Sequence, residues 1–339
     1  MILWLLACNS EKIDETAHEV VGVDSALDGI DTAEVQVEVS AEPAIEPAVE
    51  PATEPATEPS VEPIVFELTV TVDLFEGALR LQTNQPILTL DCQQLAWDGL
   101  NCSDVDLDGL TDAWEDLAIQ YLRPILLLDE AEPYLSDMTG HFAQILRVTR
   151  EMDSIDVYSV LAWSRDYGRC FVSSHNGDSE RVVIRLQFDA ETNAAWYSQA
   201  YTAAHEGELT DAGQIWSDVS LLTYVTEPTT GYPRWVVYPS EAKHATFGSI
   251  DDCENVSFIP CLDEDCAPDN VSSMDLWQDG WYLDGPFVNV GEKNQQRMNE
   301  LSAVGYPGEY AWEDQDFCGS LARTTCSSSI REKLSTIPF

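Results

Sequence analysis

The chain has 339 residues, room for one large domain or two smaller ones, and sets 61 Asp and Glu against 16 Lys and Arg for a formal charge of -45. That balance excludes nucleic acid as a partner, because its phosphates would be repelled, and excludes electrostatic adsorption to anionic membranes. It favours calcium, cationic partners and an exposed soluble surface, while 10 Trp, 12 Tyr and 10 Phe supply enough apolar mass for a core.

The chain opens Met1-Ile-Leu-Trp-Leu5-Leu6-Ala7-Cys8. Leu5 to Cys8 resembles the processing box of bacterial lipoproteins. The resemblance implies cleavage before Cys8, which would then carry the lipid and hold the protein to a membrane. The apolar lead is short and has no Lys or Arg, unlike an ordinary signal. Asn9 follows Cys8 in place of the Asp that retains some lipoproteins at the inner membrane, so the expected location is the outer membrane of a bacterial envelope. Nine cysteines are an odd number. With Cys8 given to a lipid, the rest suit four disulfides in an oxidising compartment. Short loops suggest 92–102, 261–266 and 318–326, leaving Cys170 for Cys253. No C-x-x-C spacing points to zinc.

Residues 9–63 read as a disordered acidic tether. Glu-Pro recurs every fourth residue from Glu42-Pro43 to Glu62-Pro63. Such spacing forbids a helix, and like charges extend the chain. At ~3.1 Å per residue in polyproline geometry the repeat spans roughly 70 Å. A spacer fits this better than an acidic docking repeat.

Residues 64–103 are expected to form a small β element. Val65 to Val72 alternate in polarity, and Arg80 to Leu90 make a second strand-like run broken at Pro86. Residues 104–123 then carry a calcium loop and its exit helix. Asp104, Asp106 and Asp108 take positions 1, 3 and 5 of the twelve-position pattern. Gly109 takes position 6, the Leu110 carbonyl position 7, Asp112 position 9 and Glu115 position 12. The loop resembles those of thrombospondin type 3 and dockerin-like modules, whose calcium is structural. Trp114, Leu117, Ala118, Tyr121 and Leu122 form a helical stripe ended by Pro124. The incoming side, Leu90 to Ser103, has no such stripe.

Residues 124–339 are expected to form the main domain: mainly β, a β-sandwich with one or a few helices and long disulfide-stapled loops, acting as a monomer. Ile125–Leu128, Ile155–Trp163, Arg181–Phe188, Ala194–Tyr201, Ser220–Val225 and Arg234–Tyr238 read as strands. The tail from Phe287 reads as irregular and Cys-stapled. At the head of one strand stand His175, Asp178 and Glu180. The two carboxylates fall on the strand's apolar face, so a cation or strong donors must compensate them; a divalent ion is one candidate, Arg165 or Arg169 another. His244 follows a strand and could reach the same place. His205 reads as solvent-exposed and His141 as packing.

The stretch from His175 to Glu180 resembles the G-H-R-H-D-W-E heptad of necrosis- and ethylene-inducing-like proteins. It also resembles the H-x-G-D-W-E stretch of a vacuolar-protein-sorting-related family, here with Ser179 in place of Trp. Two further stretches resemble that second family: Tyr121 to Asp129 through Glu132-Pro-Tyr134, and Trp235 to Ala245. The first resemblance implies a β-sandwich with a second divalent cation at His175, Asp178 and Glu180, joined by an upstream Asp for which Asp166 stands. Three functions compete. One is a lipid-anchored, calcium-binding surface module with an unidentified ligand. Another is a metal-dependent phosphoester or glycoside hydrolase with His244 as base. The last is a lytic or sugar-headgroup-binding effector.

Overall fold

The structure, a computed structural model, describes residues 66–95, 100–136, 142–168, 175–206, 212–256, 264–266, 273–284, 287–291, 305–306, 310–311 and 330–339. Cys8 and the Glu-Pro repeat lie outside them, as do His141, Arg169, Cys170, Cys261, Cys318, Cys326 and the side chain of His175.

Two sheets carry the described fold. Strands β1 (Val70–Phe75) and β2 (Ala78–Thr83) form a hairpin whose two-residue loop, Glu76-Gly77, holds φ 50 and 85. Paired positive φ values match the right-handed strand twist. A side chain at Gly77 would also meet the Ser220 Cβ at 2.8 Å. This hairpin is no separate element, because β2 pairs with β7 (Ala194–Thr202) and so extends the large sheet. That sheet continues through β6 (His175–Asp189) and β5 (Ser154–Asp166) to β4 (Phe142–Glu151), all antiparallel. A bulge interrupts β6 and β7 at Arg185/Leu186. At the far edge β13 (Phe287–Asn289) pairs parallel with β4, so the tail is not wholly irregular. The second sheet centres on β10 (Pro233–Pro239), which pairs parallel with β3 (Ile125–Leu127).

One apolar core fills the space between the sheets. It joins Val157, Leu161, Trp163, Val182, Ile184 and Leu186 of the large sheet to Leu126, Trp235 and Val237 of the small one. Helix α2 (Asp112–Leu122) lies in that core through Trp114, Leu117, Ala118 and Leu122. Thr111 caps it, accepting from the Trp114 N–H. The predicted stripe is therefore the buried face. Outside the small sheet, Ile125, Val236 and Tyr238 pack with Phe247, Cys253, Cys266 and Leu276. Outside the large sheet, Ile145, Tyr158, Val160 and Val183 pack beneath Ile330 and Leu334 of the C-terminal segment. Arg147 and Arg181 fasten that segment by donating to the carbonyls of Leu334 and of Lys333 and Thr336. The architecture is thus a mainly β sandwich with few helices. Among the described residues no helix is long and apolar enough to cross a membrane.

Cys92–Cys102 forms as expected, with Cα atoms 5.5 Å apart. Cys253 does not wait for Cys170, nor Cys266 for Cys261: the two pair with each other, Cα atoms 6.1 Å apart. Cys253 leaves its helix (Ile250–Glu254) into the core beside Cys266, and burial of both selects the partner. A loop of this length contributes about 3 kcal/mol. Two other readings need correction. Ser220–Val225 is a 3-10 turn, Val219–Leu221, followed by the short strand Tyr224–Thr226. Thr89–Leu95, expected in part as strand and otherwise without a stripe, is a helix, so the Asp104–Glu115 loop has a short helix before it as well as a long one after.

Candidate metal centre

The Asp104–Glu115 loop folds as a turn around its own carboxylates. Gly109 sits at φ 93, the left-handed region that position 6 demands, and Leu107 at φ 60. Backbone donors shape the turn. Asp104 Oδ2 accepts the Gly109 N–H at 3.1 Å, Asp108 Oδ1 the Leu110 N–H at 2.8 Å, and Asp112 Oδ1 the Val105 N–H at 3.0 Å. Two anchors tie the loop to the sandwich. Leu110 bridges Leu88, with Thr89 N–H on the Gly109 carbonyl and Thr111 N–H on the Ile87 carbonyl. Asp108 Oδ2 accepts the Arg150 N–H of β4 at 2.8 Å. The Thr89 hydroxyl reaches both the Leu110 carbonyl, 2.7 Å, and Asp104 Oδ2, 3.0 Å, and donates to one at a time.

The oxygens converge. Asp104, Asp106 and Asp108 offer carboxylate oxygens within 4.8 Å of one another, and so do Asp106, Asp112 and Glu115. Oxygens ~2.4 Å from one ion can stand at most about twice that apart, so each set fits around a single calcium. Glu115 is the informative member. Helix α2 buries it to 4% exposure, and its Oε1 has no hydrogen-bond donor among the described residues; the same is true of Asp104 Oδ1. Burial pushes the Glu115 carboxyl up to about 10, and the charges of Asp106, Asp108, Asp112 and Asp104 add to the effect. At neutral pH a buried carboxylate facing four others keeps its charge only with a cation among them, and otherwise takes up a proton. The donor set is all oxygen, which suits a hard divalent ion.

The second candidate cluster is arranged differently. Pairing of β5 with β6 sets Asp166 opposite His175 and Trp163 opposite Asp178. The loop after β10 turns through left-handed residues, Ala242 at φ 65 and His244 at φ 62, and drives the His244 ring inward. There it stacks on Trp163, centroids 4.1 Å apart. Its Nδ1 lies 3.1 Å from Asp178 Oδ2 and its Nε2 3.4 Å from Glu132 Oε1. Both partners are carboxylates, so the ring donates from both nitrogens, as only the charged imidazolium can. Burial alone would lower the His244 pKa, but Asp178 and Glu132 carry it up to about 10. Burial would likewise raise Glu132. The His244 bond and charge, with the backbone N–H groups of Tyr134 and Ala242, instead hold it below the usual carboxylate range. The general-base role expected for His244 needs an accepting nitrogen, and here both are occupied as donors in a fully buried ring.

Glu180, on the same strand face as Asp178, has a different cation beside it. The Lys333 ammonium stands 3.7 Å from its Oε2 and donates to the Ser179 carbonyl. Burial pushes the Glu180 carboxyl up to about 7, Lys333 working against the rise. Among the described residues His244 faces Asp178 and Lys333 faces Glu180, while Arg165 is exposed. Asp166 Oδ1 accepts the Gly168 N–H at 2.6 Å. His205, expected in solvent, pairs with buried Glu264 at 3.0 Å, as does Lys243. Sequence reasoning missed Glu132 and Lys333 as partners. For Glu132 a signal existed, since Glu132-Pro-Tyr134 is one of the stretches that resemble the sorting-related family.

No family profile and no curated protein matches the chain. Solved structures do show a likeness. One, described as a toxin fold for microbial attack and plant defence, is 14% identical, with 61% of this chain and 87% of that one covered and a TM-score of 0.32. A second, NLPPya in complex with mannosamine, is 15% identical over the same shares, also at 0.32. A third, NLPPya in complex with glucosamine, is 15% identical over 56% of this chain and 90% of that one, at 0.29. These neighbours are toxins of the necrosis- and ethylene-inducing-like type, the family that the His175–Glu180 stretch resembles.

Proposed function

We propose that this is a calcium-binding surface protein of a bacterial envelope, held by a lipid on Cys8 and lifted on its Glu-Pro tether. In this reading the ion sits in the Asp104–Glu115 loop and clamps α2 to the sandwich, and the β domain is the part displayed to partners. The observation that carries it is Glu115, a buried carboxylate with a bare oxygen amid four aspartates. The ion would act structurally: it would neutralise those charges and lock the loop between the Leu88–Leu110 bridge and Arg150. Calcium is expected to raise the melting temperature by several degrees over a chelator-treated sample, and magnesium much less, since it demands smaller, near-octahedral geometry. A melting temperature indifferent to calcium rejects the reading. The anchor has its own check: labelled palmitate should enter the parent expressed in a bacterial host and not Cys8→Ala.

A second reading, a sugar-headgroup-binding effector, takes its ion at His175, Asp178 and Glu180. Two neighbours are described with amino sugars bound, and that binding is theirs. An ion at that place would have to displace His244 from Asp178 and Lys333 from Glu180.

A further inference from the structure

The short helix Thr89–Leu95 touches the Asp104–Glu115 loop from outside its twelve positions. Its first residue, Thr89, donates its N–H to the Gly109 carbonyl at 3.0 Å. The Thr89 hydroxyl stands 2.7 Å from the Leu110 carbonyl and 3.0 Å from Asp104 Oδ2. One side chain thus braces positions 7 and 1 of the loop. One turn on, Cys92 is bonded to Cys102, two residues ahead of Asp104. A helix of seven residues does not persist on propensity alone, so its fastenings decide whether Thr89 stays in place. We infer that the Cys92–Cys102 disulfide sets the calcium affinity of the loop, and that bound calcium in turn protects this disulfide against reduction by a dithiol.

The bond reaches the loop from both of its ends. On one side it holds the helix that carries Thr89. On the other, Cys102 leads into Ser103, whose carbonyl accepts the Asp112 N–H at 2.8 Å and whose hydroxyl donates to Asp112 Oδ2 at 2.5 Å. Opening the bond frees the chain between Thr89 and Ser103, and the cost of ordering that chain again then falls on calcium binding. The two sulfurs differ in access: Cys92 is buried and Cys102 half-buried. A thiolate of the dithiol therefore attacks the Cys102 sulfur and expels the Cys92 thiolate, which takes a proton. The second thiol of the reductant then closes its own disulfide and releases Cys102 as a thiol, so the reductant is oxidised by two electrons and the protein bond is reduced by two. Linkage makes the two effects equal. A tenfold loss of calcium affinity on opening is a tenfold shift in the reduction equilibrium, about 30 mV. Cys253–Cys266 packs outside the small sheet, in a different apolar cluster, and serves as the internal control.

The inference rests on the calcium reading, so the test separates the two. Calcium binding to the full chain is measured for the parent, for Cys92→Ala/Cys102→Ala and for Cys253→Ala/Cys266→Ala. The first variant is expected to bind roughly tenfold more weakly and the second much like the parent. Thr89→Val should weaken binding as well, and Thr89→Ser should restore it. A second arm uses the parent alone. It is equilibrated in buffers of reduced and oxidised dithiothreitol, with calcium or with chelator, and its free thiols are alkylated and located by peptide mass. The thiol-to-disulfide ratio that half-labels Cys92 and Cys102 should rise roughly tenfold in calcium, while that for Cys253 and Cys266 stays put. Calcium uptake of equal affinity with and without the Cys92–Cys102 bond, or a half-labelling ratio that calcium leaves unmoved, overturns the inference alone. So does an equal loss in the Cys253→Ala/Cys266→Ala control, which would mark general loosening of the fold. A parent that takes up no calcium overturns the calcium reading and the inference with it.

Discussion

Replacing Glu115 with Gln is expected to stabilise the calcium-free protein and destabilise the calcium-loaded one. Without an ion, folding buries the Glu115 carboxyl among Asp104, Asp106, Asp108 and Asp112 and pushes it up to about 10. A carboxyl whose folded pKa lies above its unfolded 4.5 must take up a proton to fold at neutral pH, and that uptake opposes folding. Gln keeps the shape and removes the charge, a gain of roughly 1–3 kcal/mol, the range for a buried polar group left unsatisfied. With calcium the order reverses. The parent gains ~4 kcal/mol at a thousandfold excess over the dissociation constant, and Gln offers one neutral oxygen where Glu offers two charged ones. Urea unfolding with chelator and with calcium reads both signs. A variant weaker than the parent under both conditions would mean that Glu115 is merely a packing residue.

Loss of His244 should be as costly as any single change in the fold. His244→Leu leaves Asp178 and Glu132 buried without their shared cation, a loss of about 3–5 kcal/mol. The pH dependence follows from the directions of the two shifts. The His244 pKa is raised from 6.5 to about 10, so its contribution is complete below 6.5 and fades as pH climbs towards 10. Glu132 is lowered from 4.5, so its contribution is present above 4.5 and is lost as acid carries pH through its folded value. The advantage of the parent over His244→Leu is therefore largest between 4.5 and 6.5 and shrinks on the alkaline side. A difference that stays level from neutral pH to pH 10 would show that the ring is held neutral, with only one of its two carboxylate bonds.

What the sequence reveals here depends on the range of the forces involved. The Asp104–Glu115 loop is legible because its carboxylates are neighbours in the chain and its glycine has one conformational purpose. β5, β6, β7 and β10 are legible because apolar, aromatic and β-branched residues predominate in them and Gly, Pro, Asn and Asp clusters separate them. β4 is not, because Gln144, Arg147 and Thr149 are buried in it by partners elsewhere: Ser159 for the first and the Leu334 carbonyl for the second. A strand covered on both faces shows no clean alternation. The Thr89–Leu95 helix escapes notice for another reason. It is too short to show a stripe and is held by the Cys92–Cys102 bond and the Leu88–Leu110 bridge rather than by propensity. The second cluster is the hardest to read. The partners of Asp178 and Glu180 lie 66 residues on and near the C-terminus, and adjacency in the chain reveals neither. Cys253 and Cys266 repeat the lesson, since burial chose their pairing over the shortest loop.

The most direct measurement is calcium content of the purified full chain after equilibrium dialysis, for the parent and for Asp104→Ala/Asp106→Ala. The account predicts one ion per parent chain and none in the double variant. A parent without calcium, or a double variant that keeps its ion, would contradict it, for then the carboxylates of Asp104 to Glu115 would not be the place where this protein holds a metal.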